Sequence, residues 1–245
     1  MPLKLGVLVP SSNTALEPLT SAIVASLGPG VTVHFSRFPV TKITLEPAVL
    51  AQFDLGGTIM SAARMLADAK VDVIGWSGTS GGWLGFDADE KLCQAIADAF
   101  GIPATTSTLA LNKALNLLGA KRLALITPYV ANVQDRIVDI YRAAGYEVVA
   151  ESHLSISENA RIADVDAAQL DAQFREVLQA ATGGRRPDAI TTFCTNLSAA
   201  QLVAKWEERH GVPVLDTVAT VVWDMLRLVQ CDKTKITGWG RIFEL

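Results

Sequence analysis

Cysteine and histidine are scarce in this 245-residue chain, at three of each, and neither type is grouped. Cys93, Cys194 and Cys231 are odd in number and show no CxxC spacing, which argues against a disulfide framework and against a zinc knuckle. They are expected as free thiols. His34, His153 and His210 form no HExxH or HxH pair, so a multi-histidine metal site has no support in local sequence. Charge is also thin: 21 basic residues against 25 acidic ones, 19% of the chain, with no long run of either sign. That leaves no electrostatic footprint for a phosphate backbone, and nucleic acid is not an expected partner. No apolar stretch approaches the roughly 18 residues that cross a bilayer. The opening run Leu3–Val9 lacks a cationic flank and a small-residue cleavage site, so it reads as a buried strand rather than a leader. A cytoplasmic protein with no membrane partner is expected; a homo-oligomer is left open.

What the chain does have is core. Half of its residues are hydrophobic, which rules out disorder, and the length allows one large domain or two lobes of about 120 residues. Short β-branched and aliphatic runs alternate with longer segments of helical period, the pattern of βαβ units. Strands are expected at Leu3–Val9, Val31–Phe38, Val71–Trp76, Arg122–Thr127, Glu147–Ser152, Ala189–Phe193 and Val212–Asp216. Being continuously apolar rather than alternating, they fit parallel sheets covered on both faces. Helices are expected at Ala15–Leu27, Pro47–Lys70, Glu90–Phe100, Ser107–Leu118, Val133–Ala144, Ala167–Ala181, Ala199–Arg209 and Thr217–Val229. The stretch Thr182–Pro187 reads as a surface connector.

The chain also repeats itself at long range. "KLGVLVPSSN" returns in kind as "RLALITPYVAN", pairing Pro10 with Pro128 at an offset of 118. "VDVIGWSGTS" matches "PDAITTFCTN", aligning Gly78 with Cys194 at an offset of 116, and "FGIPATTSTLALNKAL" matches "HGVPVLDTVATVVWDM", aligning Gly101 with Gly211 at 110. Three collinear matches are read as a duplication. The expected fold is α/β, with two similar lobes related by a pseudo-twofold axis, each a parallel sheet flanked by helices. The lobes are expected at residues 1–121 and 122–216, with the C-terminal helix in 217–245 crossing back to the first.

Parallel strands aim the loops after their C-terminal ends into one crevice, where unpaired helix amides favour anions. The loops Pro10–Thr14, Ser77–Gly82, Thr127–Asn132 and Phe193–Ser198 are therefore expected to share a cleft between the lobes, and all four are rich in hydroxyl and amide groups. Helix capping is the plainer use of such residues, and it does not exclude ligand binding. A small carboxylate could be held there by Thr79 and Ser80, by the Tyr129 hydroxyl and by the amide of Thr195. No GxGxxG opens a helix, and "GTSGG" lacks the lysine of a phosphate-binding loop. Cys194 stands where a buried strand meets a polar loop, a place where amides and a helix dipole are expected to lower a thiol pKa. Cys93 and Cys231 lie in or at the end of helices and read as structural.

On these residues a resemblance rests. "VPSSNT", "GTSGG", "ITPY", "FCTNL" and the terminal "GWGRIFE" resemble the aspartate/glutamate racemase superfamily, and more closely its arylmalonate decarboxylase and maleate cis-trans isomerase branch. The resemblance covers essentially the whole chain. It implies chemistry without cofactor or metal, on a small mono- or dicarboxylate. Racemases and isomerases of the superfamily carry one cysteine per lobe; here Cys194 matches the second and Gly78 stands in place of the first, as in the decarboxylases. One thiol suffices for a decarboxylase, because loss of carbon dioxide leaves an enediolate that needs a single proton. Two segments matching the leaving-group pocket, Pro39–Thr44 and Ser155–Ala160, divide the reading. Val40 and Ile43 fit an apolar pocket, whereas Asn13 and Asn159 match positions where maleate isomerases hold a second carboxylate. Lys42 either reaches that pocket or points to solvent. Of the two tryptophans flanking the glycine motif, Trp83 is preferred over Trp76 as a pocket wall. The expectation is a decarboxylase of a small substituted malonate with Cys194 as proton donor. The alternatives are a maleate isomerase-like or racemase-like enzyme and a carboxylate-binding protein without catalysis.

Overall fold

The computed structural model describes residues 2–180 and 185–245; Thr182, Gly183 and Gly184 of the expected connector, and Ala181 at the end of an expected helix, lie outside the described residues. Strand β1 (Leu3–Pro10) pairs in parallel with β2 (Val31–Phe38) on one side and β3 (Val73–Trp76) on the other, and β3 pairs with β4 (Ala104–Thr106). A second parallel sheet repeats the arrangement with β5 (Arg122–Thr127), β6 (Glu147–His153), β7 (Ala189–Thr192) and β8 (Val214–Asp216). The strand orders are β2-β1-β3-β4 and β6-β5-β7-β8. The two halves thus have the same topology, as the duplication requires. The central strands are buried along most of their length, which is why they carry no apolar–polar alternation.

Helices flank both sheets. In chain order they are α1 (Leu16–Ala25), α2 (Pro47–Leu50), α3 (Thr58–Asp68), α4 (Gly81–Leu84), α5 (Phe86–Phe100), α6 (Ser107–Leu117), α7 (Ala131–Ala143), α8 (Asn159–Ile162), α9 (Ala167–Ala180), α10 (Val203–His210) and α11 (Thr217–Leu228). The aligned glycines Gly101 and Gly211 end α5 and α10 in the left-handed region, at φ +67° and +63°, a conformation that costs a residue with a Cβ about 1 kcal/mol or more. None of the described helices is long and apolar enough to cross a membrane.

Helix α11 joins the halves. It is buried at every position from Thr217 to Leu226, the buried Asp224 being met by Lys113 and Thr105, and it packs on α6, α1 and the strands β3 and β4 of the first sheet. Gly75 in β3 permits this: a Cβ there would lie 2.5 Å from the Met225 sulfur and 2.9 Å from Val221. The helix starts are tied as well. Ser107 Oγ donates to the Thr217 carbonyl at 2.7 Å, and Thr220 Oγ1 donates to the Ser107 carbonyl at 3.2 Å.

Two expectations need correction. The segment Pro47–Lys70 is not one helix: α2 passes into a 3₁₀ turn at Ala51–Phe53, and the chain restarts as α3 only at Thr58. Gly56 and Gly57 lie in the break, where glycine's backbone entropy disfavours helix. Strand β4 was not expected, being three residues long and ending in two threonines, although it is the repeat mate of β8.

Candidate functional site

The four polar loops follow β1, β3, β5 and β7, and all reach the same place because those strands run the same way in their sheets. Hydrogen bonds knit them across the halves. Thr195 Oγ1 donates to the Ser77 carbonyl at 3.1 Å and accepts from Asn13 Nδ2 at 3.2 Å. Asn196 Oδ1 accepts from the amides of Thr14 and Ala15, and its Nδ2 donates to the Asn159 carbonyl at 2.6 Å. Thr79 and Tyr129 share a hydrogen bond of 2.7 Å between hydroxyls, both residues being buried.

These loops enclose a cavity of about 20 Å³, room for about one water molecule. Gly78, Thr79, Ser80, Tyr129, Cys194 and Thr195 line it, and so do Val40, Ile43 and Asn159. Asn13 does not line it. Its Oδ1 takes the amides of Ala15 and Leu16 at the start of α1, and its Nδ2 supports Thr195 from behind, so its visible work is capping. Pro10 and three aromatic residues, Phe53, Trp76 and Trp83, complete the wall. Trp83 packs edge-on to Tyr129 at 5.3 Å between ring centroids. Both tryptophans therefore face the cavity, not Trp83 alone. Phe53 escapes a sequence reading that runs Pro47–Lys70 as one helix; the pair Gly56 and Gly57 is the available signal. Phe53, Trp76 and Ser80 also line an open groove of about 540 Å³.

A clasp joins the segments that follow β2 and β6, which supply Val40, Ile43 and Asn159 to the cavity wall. Lys42 and Glu158 form an antiparallel bridge, with Ile43 N to Ser157 O at 2.9 Å and Asn159 N to Thr41 O at 3.0 Å. Asn159 Nδ2 reaches Ser12 Oγ at 2.9 Å. Lys42 itself is exposed and does not line the cavity. As it stands, a cavity this small holds nothing larger than a water molecule.

Cys194 is 3% exposed. Burial pushes its thiol up to about 11, against the opposing pull of the Tyr129 hydroxyl and of the amides of Asn196 and Leu197. The expected lowering is thus reversed, because desolvation of the thiolate outweighs the amides that would welcome it. The Tyr129 hydroxyl is likewise held well above its usual range, first by burial and then by its proximity to Cys194. Cys93 is pushed up to about 12 by burial, in keeping with a structural residue. Among the described residues, no group of three or more His, Cys, Asp and Glu side chains is placed to hold a metal ion.

Two like parallel sheets, meeting through strand-end loops around a buried thiol and a set of hydroxyls, define a class of two-lobed α/β enzymes. The chain belongs to the arylmalonate decarboxylase family, whose model matches residues 29–243. It is 30% identical over 240 residues to a maleate isomerase of Pseudomonas putida, covering 94% of this chain and 92% of that protein. It is 28% identical over 240 residues to an arylmalonate decarboxylase of Bordetella bronchiseptica, covering 97% and 92%. In structure it resembles a maleate isomerase of Pseudomonas putida S16, solved with maleate as a cysteine-to-alanine variant. The TM-score is 0.86 at 26% identity, with 99% of this chain and 98% of that one covered. The expected superfamily and two-lobed fold are therefore established, and the family contains both reactions.

Proposed function

We propose that this protein is a cofactor-independent carboxy-lyase acting on a small substituted malonate or a related dicarboxylate. One observation carries the reading: Cys194 lines the cavity from the second half of the repeat, and the aligned residue of the first half is Gly78. Burial keeps the Cys194 thiol protonated at neutral pH, and a protonated thiol is an acid rather than a nucleophile. Racemisation needs an acid and a base on opposite faces of one carbon, and addition to a cis double bond needs a thiolate with an assisting group. Glycine supplies neither. In this reading residues 1–121 and 122–216 are the lobes, 217–245 crosses back to the first, and substrate sits between them.

The retained carboxylate is held by Thr79, Ser80 and Tyr129 together with backbone amides around Gly78 and Thr195, donors whose hold tightens as charge develops there. The departing carboxylate lies against Pro10, Val40 and Ile43, where poor solvation favours the neutral product. The bond from the α-carbon to that carboxylate breaks heterolytically. Its electron pair passes into the retained carboxylate to give an enediolate, and carbon dioxide leaves. The Cys194 thiol then gives its proton to the α-carbon, and the resulting thiolate is reprotonated from solvent. One proton is consumed for each carbon dioxide released.

A second reading, isomerisation of a cis dicarboxylate, is favoured by Asn159 on the cavity wall, a polar group suited to holding a second carboxylate. Incubation with 2-methyl-2-phenylmalonate and with maleate in deuterium oxide separates the readings. Carbon dioxide release with one deuteron incorporated supports the lyase. Fumarate formation without mass loss supports the isomerase, and saturable binding without turnover supports a carboxylate-binding protein.

A further inference from the structure

Gly78 is more than an absent thiol. A Cβ built on it would lie 2.1 Å from Cζ2, 2.3 Å from Cε2 and 2.6 Å from Cη2 of the Trp76 indole, far inside the roughly 3.5 Å at which carbon atoms come into contact. The ring is well held in that position. Trp76 is 2% exposed, its ring lies 5.0 Å from that of Phe38 and 6.4 Å from that of Phe53, and its Nε1 donates to Ser80 Oγ at 3.1 Å. In the other half of the repeat the residue aligned with Trp76 is Thr192. That small side chain donates its hydroxyl to Asp216 at 2.7 Å. Cys194 keeps its space for this reason: its strand ends in a short side chain tied elsewhere, whereas the strand before Gly78 ends in an indole.

We propose that Trp76 is the residue that makes this site one-sided. Its indole fills the volume that any side chain at position 78 would need, forms cavity wall in place of a second acid, and holds the Ser80 hydroxyl by its N–H. The assignment rests on the decarboxylase reading above and extends it, because it identifies what confines proton delivery to the Cys194 face. It also predicts that a thiol introduced at position 78 is not enough to restore two-sided chemistry. In such chemistry the Cys194 thiolate takes the α-proton from one face, the electron pair enters the carboxylate, and the thiol at position 78 gives its proton to the other face. Composition is unchanged and configuration is inverted. Room for that second thiol exists only when the indole is gone.

The test compares wild type, Gly78→Cys, Trp76→Leu and the double variant, with Trp76→Phe as the conservative substitute should the leucine variant fail to fold. Two readouts are taken: thermal unfolding, and racemisation of enantiopure 2-phenylpropionate in deuterium oxide. Gly78→Cys alone should lower the melting temperature by roughly 2–10 °C, the effect of overpacking in a chain of this size, and should gain less than about twofold in racemisation. The double variant should melt higher than the sum of the single shifts predicts, since the clash exists only when both large groups are present. It should racemise at least about tenfold faster than Gly78→Cys, in keeping with the gain that a positioned acid or base brings. Additive melting shifts, or a Gly78→Cys variant that racemises as fast as the double variant, would overturn the proposal. Non-additive shifts in a protein whose wild type neither releases carbon dioxide nor exchanges the α-proton would uphold Trp76 as the block and remove the decarboxylase reading alone.

Discussion

Thr79 and Tyr129, fifty residues apart in the chain and on opposite halves of the repeat, place their hydroxyl oxygens 2.7 Å apart within the buried wall of the cavity. One proton lies between them, so one hydroxyl proton is left to point at a bound oxygen, and the pair offers a single outward donor backed by the other hydroxyl. Tyr129→Phe should therefore cost kcat about 10²–10³-fold, the usual loss when one oxyanion donor is removed, and leave the fold intact, because the ring and its contact with Trp83 remain. Steady-state decarboxylation and a melting curve on the same sample check both parts. A decrease confined to melting temperature would mean that the hydroxyl only supports Thr79.

Cys194→Ala should abolish turnover, on the order of 10²–10⁴-fold, with little change in unfolding temperature. The pH profile says more. With the wild-type thiol titrating at about 11, an acid is fully protonated from pH 6 to 9, so the lyase rate attributable to Cys194 should be flat across that window. An enzyme working through the thiolate would gain tenfold per pH unit over the same range. Rates measured at constant ionic strength distinguish a level line from a rising one.

Much of this site could be read before the structure, and what escaped has physical causes. Gly78, Thr79, Ser80, Tyr129 and Cys194 were legible because parallel strands force the loops at their C-terminal ends together, whatever the side chains. Val40, Ile43 and Asn159 came only from the resemblance; nothing in their spacing brings the two clasp segments together. Phe53 was hidden because helical periodicity in Pro47–Lys70 outweighed two glycines. The role of Trp76 depends on a side-chain orientation set by Phe38, Phe53 and Ser80, which come from other parts of the chain. The Cys194 shift runs opposite to the expected direction because the cost of burying a charge outweighs the pull of the nearby amides.

Asp89 should make stability depend on pH. It lies at the start of α5, 2% exposed, with Thr106 Oγ1 donating to it at 2.5 Å, and burial pushes its carboxyl from 3.8 up to about 7. The folded state therefore binds a proton that the unfolded chain has lost between about pH 4 and pH 7. The contribution is complete below pH 4 and disappears as pH rises through 7. The stability lost is about 1.4 kcal/mol per pH unit within that window. Asp216, pushed to about 6 by burial, acts in the same direction over a narrower range. Urea unfolding at pH 5 and pH 8 should show the wild type less stable at pH 8. Asp89→Asn should lose most of that difference while keeping the part owed to Asp216. An equal pH dependence in both proteins would mean that Asp89 is ionised in the folded state.

Asn196 ties the two halves together, although nearby Cys194 draws the chemistry. It is fully buried, and both ends of its amide are used: Oδ1 takes the Thr14 and Ala15 amides of the first half, and Nδ2 supports the Asn159 carbonyl beside the clasp. Asn196→Ala leaves the Thr14 amide and the Asn159 carbonyl without these partners, while the Ala15 amide keeps Asn13 Oδ1, a loss of about 1–3 kcal/mol. The melting temperature should fall by roughly 3–12 °C. A surface amide makes the contrast. Asn116 accepts a 3.3 Å hydrogen bond from Tyr146 in an exposed setting, and Asn116→Ala should stay within about 0.5 kcal/mol of wild type. Because Asn196 also fixes the loop that carries Cys194 and Thr195, its loss should lower kcat more than it raises KM, misplacing the acid while the donors Thr79 and Tyr129 stay where they are. A rise in KM alone would instead assign Asn196 to holding the clasp.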